Sequence, residues 1–217
     1  SLNVNYEGTL EQWLNISVGS NAFKKDNLYI NNVKLQDVTI PTTVKVIKDN
    51  AFYGINVNKF IIHDEVTSVG KHAFLNSTDE ESGKIYFDGT VEQWLNIDKG
   101  QDIFGDNYDL YIDEVKVSNL VIPTTVTEIK DYALSGLNVE KVTIHAGVTK
   151  FGKYAFDINE EIEVRYQGTI EQWLNIEKAE NSLNNVKLYI NDQVVTSVVV
   201  PESIMVIKEN ALIGLRG

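Results

Sequence analysis

The sequence predicts a solenoid, mainly β, whose strands stack into a parallel ladder of about eight turns that carries short helices and inserted hairpins. Three observations predict it. The hexapeptide Glu-Gln-Trp-Leu-Asn-Ile occurs without change at Glu11 to Ile16, Glu92 to Ile97 and Glu171 to Ile176, which puts the three tryptophans 81 and 79 residues apart. All three prolines of the 217-residue chain, Pro41, Pro123 and Pro201, close an apolar run at one repeat position, and a residue that cannot donate to a ladder belongs at a strand end. The apolar runs recur mostly every 22 to 25 residues, a length that takes a coil once round its core. A repeat array shares one continuous core. The prediction is a single domain over 1–217, built of super-repeats at about 4–84, 85–163 and 164–217, the last incomplete.

The repeat opens with a short strand, Val4 to Tyr6, Ile85 to Phe87 and Val164 to Tyr166. Gly-Thr follows each time, and the Thr stands three residues before the Gln of the hexapeptide, the spacing of a helix capping box. Glu11, Glu92 and Glu171 then lie in the first turn, where free N–H groups and the helix dipole favour a carboxylate. Leu10, Trp13 and Leu14 fall at i, i+3 and i+4, as do Val91, Trp94, Leu95 and Ile170, Trp173, Leu174, giving each helix one apolar stripe with the Trp inward. Asn15, Asn96 and Asn175 are placed to end the helices in a left-handed conformation. A polar stretch leads to two short alternating runs about a two-residue link, Asn31-Asn32, Asp113-Glu114 or Asn191-Asp192, which read as hairpins with primed turns.

Next come the strands that end in proline, then the anchors Val44 and Ile47, Val126 and Ile129, Ile204 and Ile207. Asn50-Ala51-Phe52, Tyr132-Ala133-Leu134 and Asn210-Ala211-Leu212 set a small residue beside a large one, as a tight corner over a packed core requires. Gly54, Gly136 and Gly214 release the chain. A further turn of the same design starts at Phe60 and at Val142, with His63 and His145 where the others have Pro. The polar loop from Ser77 to Gly83 is the expected flexible spot. Counted this way, ladder strands lie at Tyr6, Ile40, Ile62, Phe87, Ile122, Ile144, Tyr166 and Val200, and the 34- or 35-residue steps carry helix and hairpin as an insertion. One such turn cannot bury its apolar side chains alone, so stability comes from stacking. Neither end has a polar cap, which predicts either a piece of a longer chain or end-to-end self-association. The start at Ser1 rather than Met decides nothing about a leader.

The proline run, as in Val38 to Phe52 with Ile40, Pro41, Val44, Ile47 and Ala51 at their fixed places, together with the Gly-Thr-x-Glu-Gln-Trp module, resembles the BspA-like leucine-rich repeat family of bacterial cell-surface proteins. The resemblance covers essentially the whole chain. It implies a right-handed leucine-rich-repeat-type solenoid with a parallel sheet, export to an extracellular or cell-surface location, and adhesion to host matrix proteins or other cells. One position departs: where the family often has Gly-Cys after the Ala-Phe corner, this chain has Ile55, Leu137 or Leu215, and an apolar residue still fills the slot.

The net charge of −12 argues against nucleic acid, which needs a basic footprint, and against an anionic membrane. No run approaches ~18 apolar residues, so no membrane insertion is expected. The chain has no cysteine, which removes disulfides, thiolate metal sites and cysteine nucleophiles. His63 and His145 stand three turns apart, roughly 14 Å at ladder spacing, too far to share a metal. Asp98, Asp102, Asp106 and Asp109 gather in one loop without the fixed order of a calcium loop. No catalytic motif occurs, so neither a cofactor nor an enzyme activity is expected.

Function is therefore sought on outward strand positions, which alternate with the core set: Asn5, Thr39, Ile61, Tyr86, Val121, Thr143, Arg165 and Val199. Ile61, Tyr86 and Val121 are expected to form one apolar patch across neighbouring strands. The candidate partner face comprises Ile61, Tyr86, Val121, Thr143 and Arg165, flanked by His63, His145, Lys59, Lys84 and Lys141. A second candidate is the hairpin tyrosines Tyr29, Tyr111 and Tyr189. The leading reading is an exported interaction module that binds a host matrix or cell-surface protein. The alternatives are glycan binding through exposed Tyr or Trp, and a passive spacer in a larger secreted protein.

Overall fold

The computed structural model describes residues 2–24, 26–75, 83–105, 107–158 and 160–213. The chain forms two compact units, Ser1–Lys116 and Val117–Gly217. Each is a parallel-ladder coil with few and short helices.

In the first unit the strand Asn3–Tyr6 pairs in parallel with Asn27–Ile30, which turns back antiparallel into Val33–Lys34. A five-stranded sheet follows, in which Asp37–Thr39, Lys59–His63, Gly83–Asp88 and Tyr108–Ile112 run parallel and Val115–Lys116 returns antiparallel at its edge. The second unit repeats this sheet with Asn119–Val121, Lys141–His145, Ile162–Gln167 and Val186–Ile190, closed by Gln193–Val194. On the return side of each coil a second, two-residue ladder forms where only anchors were expected: Val46–Ile47, Ser68–Val69 and Asp98–Lys99 in one unit, Glu128–Ile129, Lys150–Phe151 and Glu177–Lys178 in the other.

Two expectations about the ladder are corrected. The hairpin is not an insertion, because its first strand joins the ladder: Asn3 stands opposite Asn27, Gly83 opposite Tyr108 and Ile162 opposite Val186. Helix and loop thus complete a turn of their own, and Leu28, Leu110 and Leu188 are buried at 0, 1 and 3% exposure. Only the return strand leaves the coil. The strand expected at Val200 does not form. The runs at Val38 and Leu120 pair with the strand of the next turn, and the described residues after Val200 supply none. There Ile207 and Leu212 are 51 and 45% exposed, whereas Ile47, Phe52, Ile129 and Leu134 are fully buried.

The capping boxes form as the spacing requires. Gln12, Gln93 and Gln172 donate their N–H groups to Thr9, Thr90 and Thr169 Oγ1 at 3.1, 3.2 and 3.2 Å, and their side chains accept from the Thr N–H groups. Glycine precedes Thr because there is no room for more. A Cβ on Gly89 would meet the Phe87 ring at 2.7 Å, and one on Gly168 would meet the Tyr166 ring at 2.5 Å. The helices Leu10–Leu14, Val91–Asn96 and Ile170–Asn175 are correspondingly short.

The helices do not end as the asparagines suggested. Asn15 is right-handed at φ −87, and Asn96 and Asn175 remain helical, with extended Ile97 and Ile176 after them. For the second and third helices the reason lies two residues beyond that isoleucine. Lys99 Nζ donates to Trp94 O at 2.6 Å and Ile97 O at 3.3 Å, and Lys178 Nζ to Trp173 O at 2.6 Å and Ile176 O at 3.4 Å. A side-chain donor already serves carbonyls that a left-handed residue would otherwise help satisfy. Left-handed backbone is used at the corners instead, by Asn50, His72, Tyr132, Tyr154 and Asn210, and by both residues of every hairpin link. Even Asp113-Glu114 adopts the primed geometry, at φ 50 and 62. Gly54 and Gly136 are left-handed as well; Gly214 lies outside the described residues, as does the 77–82 part of the polar loop.

Each core is an aromatic spine. In the first unit Phe52, Phe60 and Phe74 meet at 4.5 to 6.2 Å, and Phe104 continues the line to Trp94. In the second, Phe151 joins Phe156 to Trp173, which packs edge-on to Tyr166. The three tryptophans are 5, 1 and 0% exposed. Inward-facing indoles leave no Trp platform for a sugar.

Candidate functional site

With the core accounted for, the outward side of each ladder holds the side chains that burial does not explain. In the first unit Thr39, Ile61, Tyr86, Tyr111 and Lys116 stand opposite one another across five strands. Ile61, Tyr86 and Tyr111 are half-buried, and Thr39 and Lys116 are exposed. The rings of Tyr86 and Tyr111 stack at 4.5 Å with 6° between their planes. Lys59 Nζ lies 4.3 Å from the centre of the Tyr86 ring, an attraction of a cation for the ring quadrupole. A parallel charged row, Asp37, Lys59, Lys84 and Asp109, runs beside this strip, and Lys116 Nζ pairs with Asp109 Oδ1 at 2.9 Å.

The second unit carries the same strip in another chemistry: Val121, Thr143, Arg165, Tyr189 and Val194. Val121 is 64% exposed. The Arg165 guanidinium lies 4.5 Å over the Tyr189 ring and donates to Glu163 at 3.0 Å and Asp192 at 2.7 Å. Those two carboxylates push the Arg165 pKa up. Lys187 is also pushed up, first by its hydrogen bond to Tyr189. Here a polar, ion-paired strip replaces the stacked phenols of the first unit.

The residues expected to form the face are therefore partitioned. Ile61 and Tyr86 are neighbours, as are Val121, Thr143 and Arg165, but Val121 is not the next outward residue after Tyr86. That place belongs to Tyr111. The error follows from treating the hairpin as an insertion. Tyr29 and Tyr189 likewise stand opposite outward residues, Asn5 and Arg165, so the hairpin tyrosines are outward and yet rest on the adjoining turn.

His63 and His145 have a different task. His63 Nε2–H donates to Pro41 O at 3.0 Å and Val44 O at 3.1 Å; His145 Nε2–H does the same to Pro123 O and Val126 O, while its Nδ1 accepts from Gly147 N–H. Two carbonyl partners fix the proton on Nε2. Each histidine thus latches the proline turn of the preceding coil. The pattern of His at one turn and Pro at the preceding one was the available signal.

The acidic loop does not converge. Asp98 is exposed on the return ladder, Asp102 faces His72 at 3.7 Å, Asp109 holds Lys116, and Asp106 lies outside the described residues. Among the described residues no group of three His, Asp or Glu is arranged to hold a metal ion. No described helix is long and apolar enough to cross a membrane.

Comparison with family models agrees with this architecture. The model of the BspA type leucine-rich repeat region matches residues 16–92 and 107–215, in six copies. Comparison with curated proteins and with solved structures gave no match.

Proposed function

Because the chain belongs to the BspA-type leucine-rich repeat family, we propose that it is a protein-binding module that meets its partner on the outward strip of the ladder, at the bacterial cell surface. The observation that carries this reading is the row Ile61, Tyr86 and Tyr111, apolar and aromatic on a face that the core does not use. Aromatic side chains bring large contact area at small entropic cost, and they are enriched where proteins meet. Lys59 and Lys84 beside them provide a polar rim. Val121, Thr143 and Arg165 give the second unit an equivalent strip of different specificity. Leucine-rich-repeat solenoids are typically non-enzymatic, and the side chains of these strips include no paired nucleophile and base.

The test is immobilised binding to a panel of extracellular-matrix proteins at low and physiological salt, with the double variant Ile61→Ala/Tyr86→Ala alongside. Loss of a tenfold or greater share of affinity, at an unchanged melting temperature, is the expected outcome. A variant that melts much lower would show that these residues are core, and full binding by a folded variant would move the contact elsewhere.

A further inference from the structure

The stacked phenols on the first ladder have a chemical consequence beyond binding. Tyr86 and Tyr111 stand directly opposite on adjacent parallel strands, so backbone hydrogen bonds hold their rings in register. Their centroids are 4.5 Å apart and their planes within 6°. The strand order places Tyr86 between Lys59 on one side and Tyr111 on the other, which confines its ring against its neighbour. Of ten tyrosines, Tyr108 and Tyr166 are buried at 2 and 1% exposure, and the other stacked pair, Tyr132 with Tyr154, is wider at 5.5 Å. The chain has no cysteine, so no disulfide can tie one turn to the next.

We propose that Tyr86 and Tyr111 are a site of oxidative cross-linking, joined Cε to Cε when a haem peroxidase turns over hydrogen peroxide. Each phenol gives up one electron and its hydroxyl proton, and the unpaired electron spreads over the oxygen, Cγ and the two Cε carbons of that ring, of which only the Cε carbons carry a hydrogen that can leave to restore aromaticity. Near-parallel stacking at this spacing sets the π face of one ring against that of the other, the side from which the new bond forms. After coupling, the proton on each bonded Cε moves to the phenolic oxygen and both rings regain aromaticity. The pair loses two hydrogens in all, and one hydrogen peroxide is reduced to two waters. The product ties the Gly83–Asp88 strand to the Tyr108–Ile112 strand covalently.

The experiment treats the whole chain with haem peroxidase and hydrogen peroxide, digests it and maps the linked peptides by mass. A Tyr86–Tyr111 peptide two hydrogens lighter than the sum of its parts is expected. Its yield per chain should stay constant over a tenfold dilution and vanish in Tyr111→Phe, which keeps the stacked ring. Free tyrosine added to the same mixture, converted by the peroxidase to its Cε–Cε dimer, records delivery of the one-electron oxidant. Recovery of Tyr86 and Tyr111 unlinked beside dimerised free tyrosine overturns the proposal. So does coupling that falls in proportion to dilution, since that product joins separate molecules.

Discussion

Lys178 shows how one residue can serve a helix and burden the fold. The residue is 3% exposed, and its amine donates to the carbonyls of Trp173 and Ile176 at the helix end and lies 4.8 Å over the Trp173 ring. Burial, reinforced by the Lys208 ammonium, pulls its pKa down to about 7, against ~10.4 for a free lysine. Between these values the unfolded chain binds the proton and the folded chain does not. Stability gained from this position is therefore complete above the free-lysine value, falls as pH drops, and is lost once pH passes the folded value. The slope is at most about 1.4 kcal/mol per pH unit. Lys178→Met should flatten the rise of denaturation midpoint between neutral and alkaline pH, read by urea titration at a series of pH values. An unchanged slope in the variant would assign the dependence to other groups. The lysine and its spacing from Trp173 were visible in the sequence, but its role was not: a charged residue after a helix reads as solvated until burial is known.

Among the elements, the Gly-Thr-helix module was the most legible and the hairpin the least. The module declares itself through local rules, because capping spacing and the apolar stripe act within one turn of helix. The primed turns were legible for the same reason. Whether the hairpin's first strand joins the ladder depends on Leu28, Leu110 and Leu188 finding a neighbouring coil, a long-range fact that local spacing does not carry, and that gap displaced Tyr111 from the expected face. The module also separates two kinds of cost. Thr90→Ala removes one cap and should lower stability by about 1 kcal/mol. Gly89→Ala should cost more, because its Cβ would meet both the Phe87 ring at 2.7 Å and Asp64 Cβ at 2.8 Å, and strain from overpacking runs to about 1–3 kcal/mol. Urea denaturation of the two variants ranks them; the reverse order would mean that the Phe87 ring gives way freely.

For the whole molecule the dominant electrostatic quantity is net charge rather than any pair. Thirty-one acidic residues face nineteen basic ones, for −12. Ion pairs such as Lys45 with Glu65 at 3.4 Å, and Lys150 with Glu128 at 2.7 Å, have side chains 42 to 60% exposed. Pairs so open to water contribute about 0–1 kcal/mol each. Repulsion among the excess carboxylates is long-ranged and opposes the compact state. Salt weakens both terms, but it shortens the Debye length from about 30 Å at 0.01 M to about 10 Å at 0.1 M, a range that removes distant repulsion while contacts below 4 Å keep most of their attraction. The melting temperature should therefore rise with sodium chloride across that interval. Scanning calorimetry at fixed pH decides it: a fall would mean that attraction within the surface pairs outweighs the summed repulsion among the excess carboxylates.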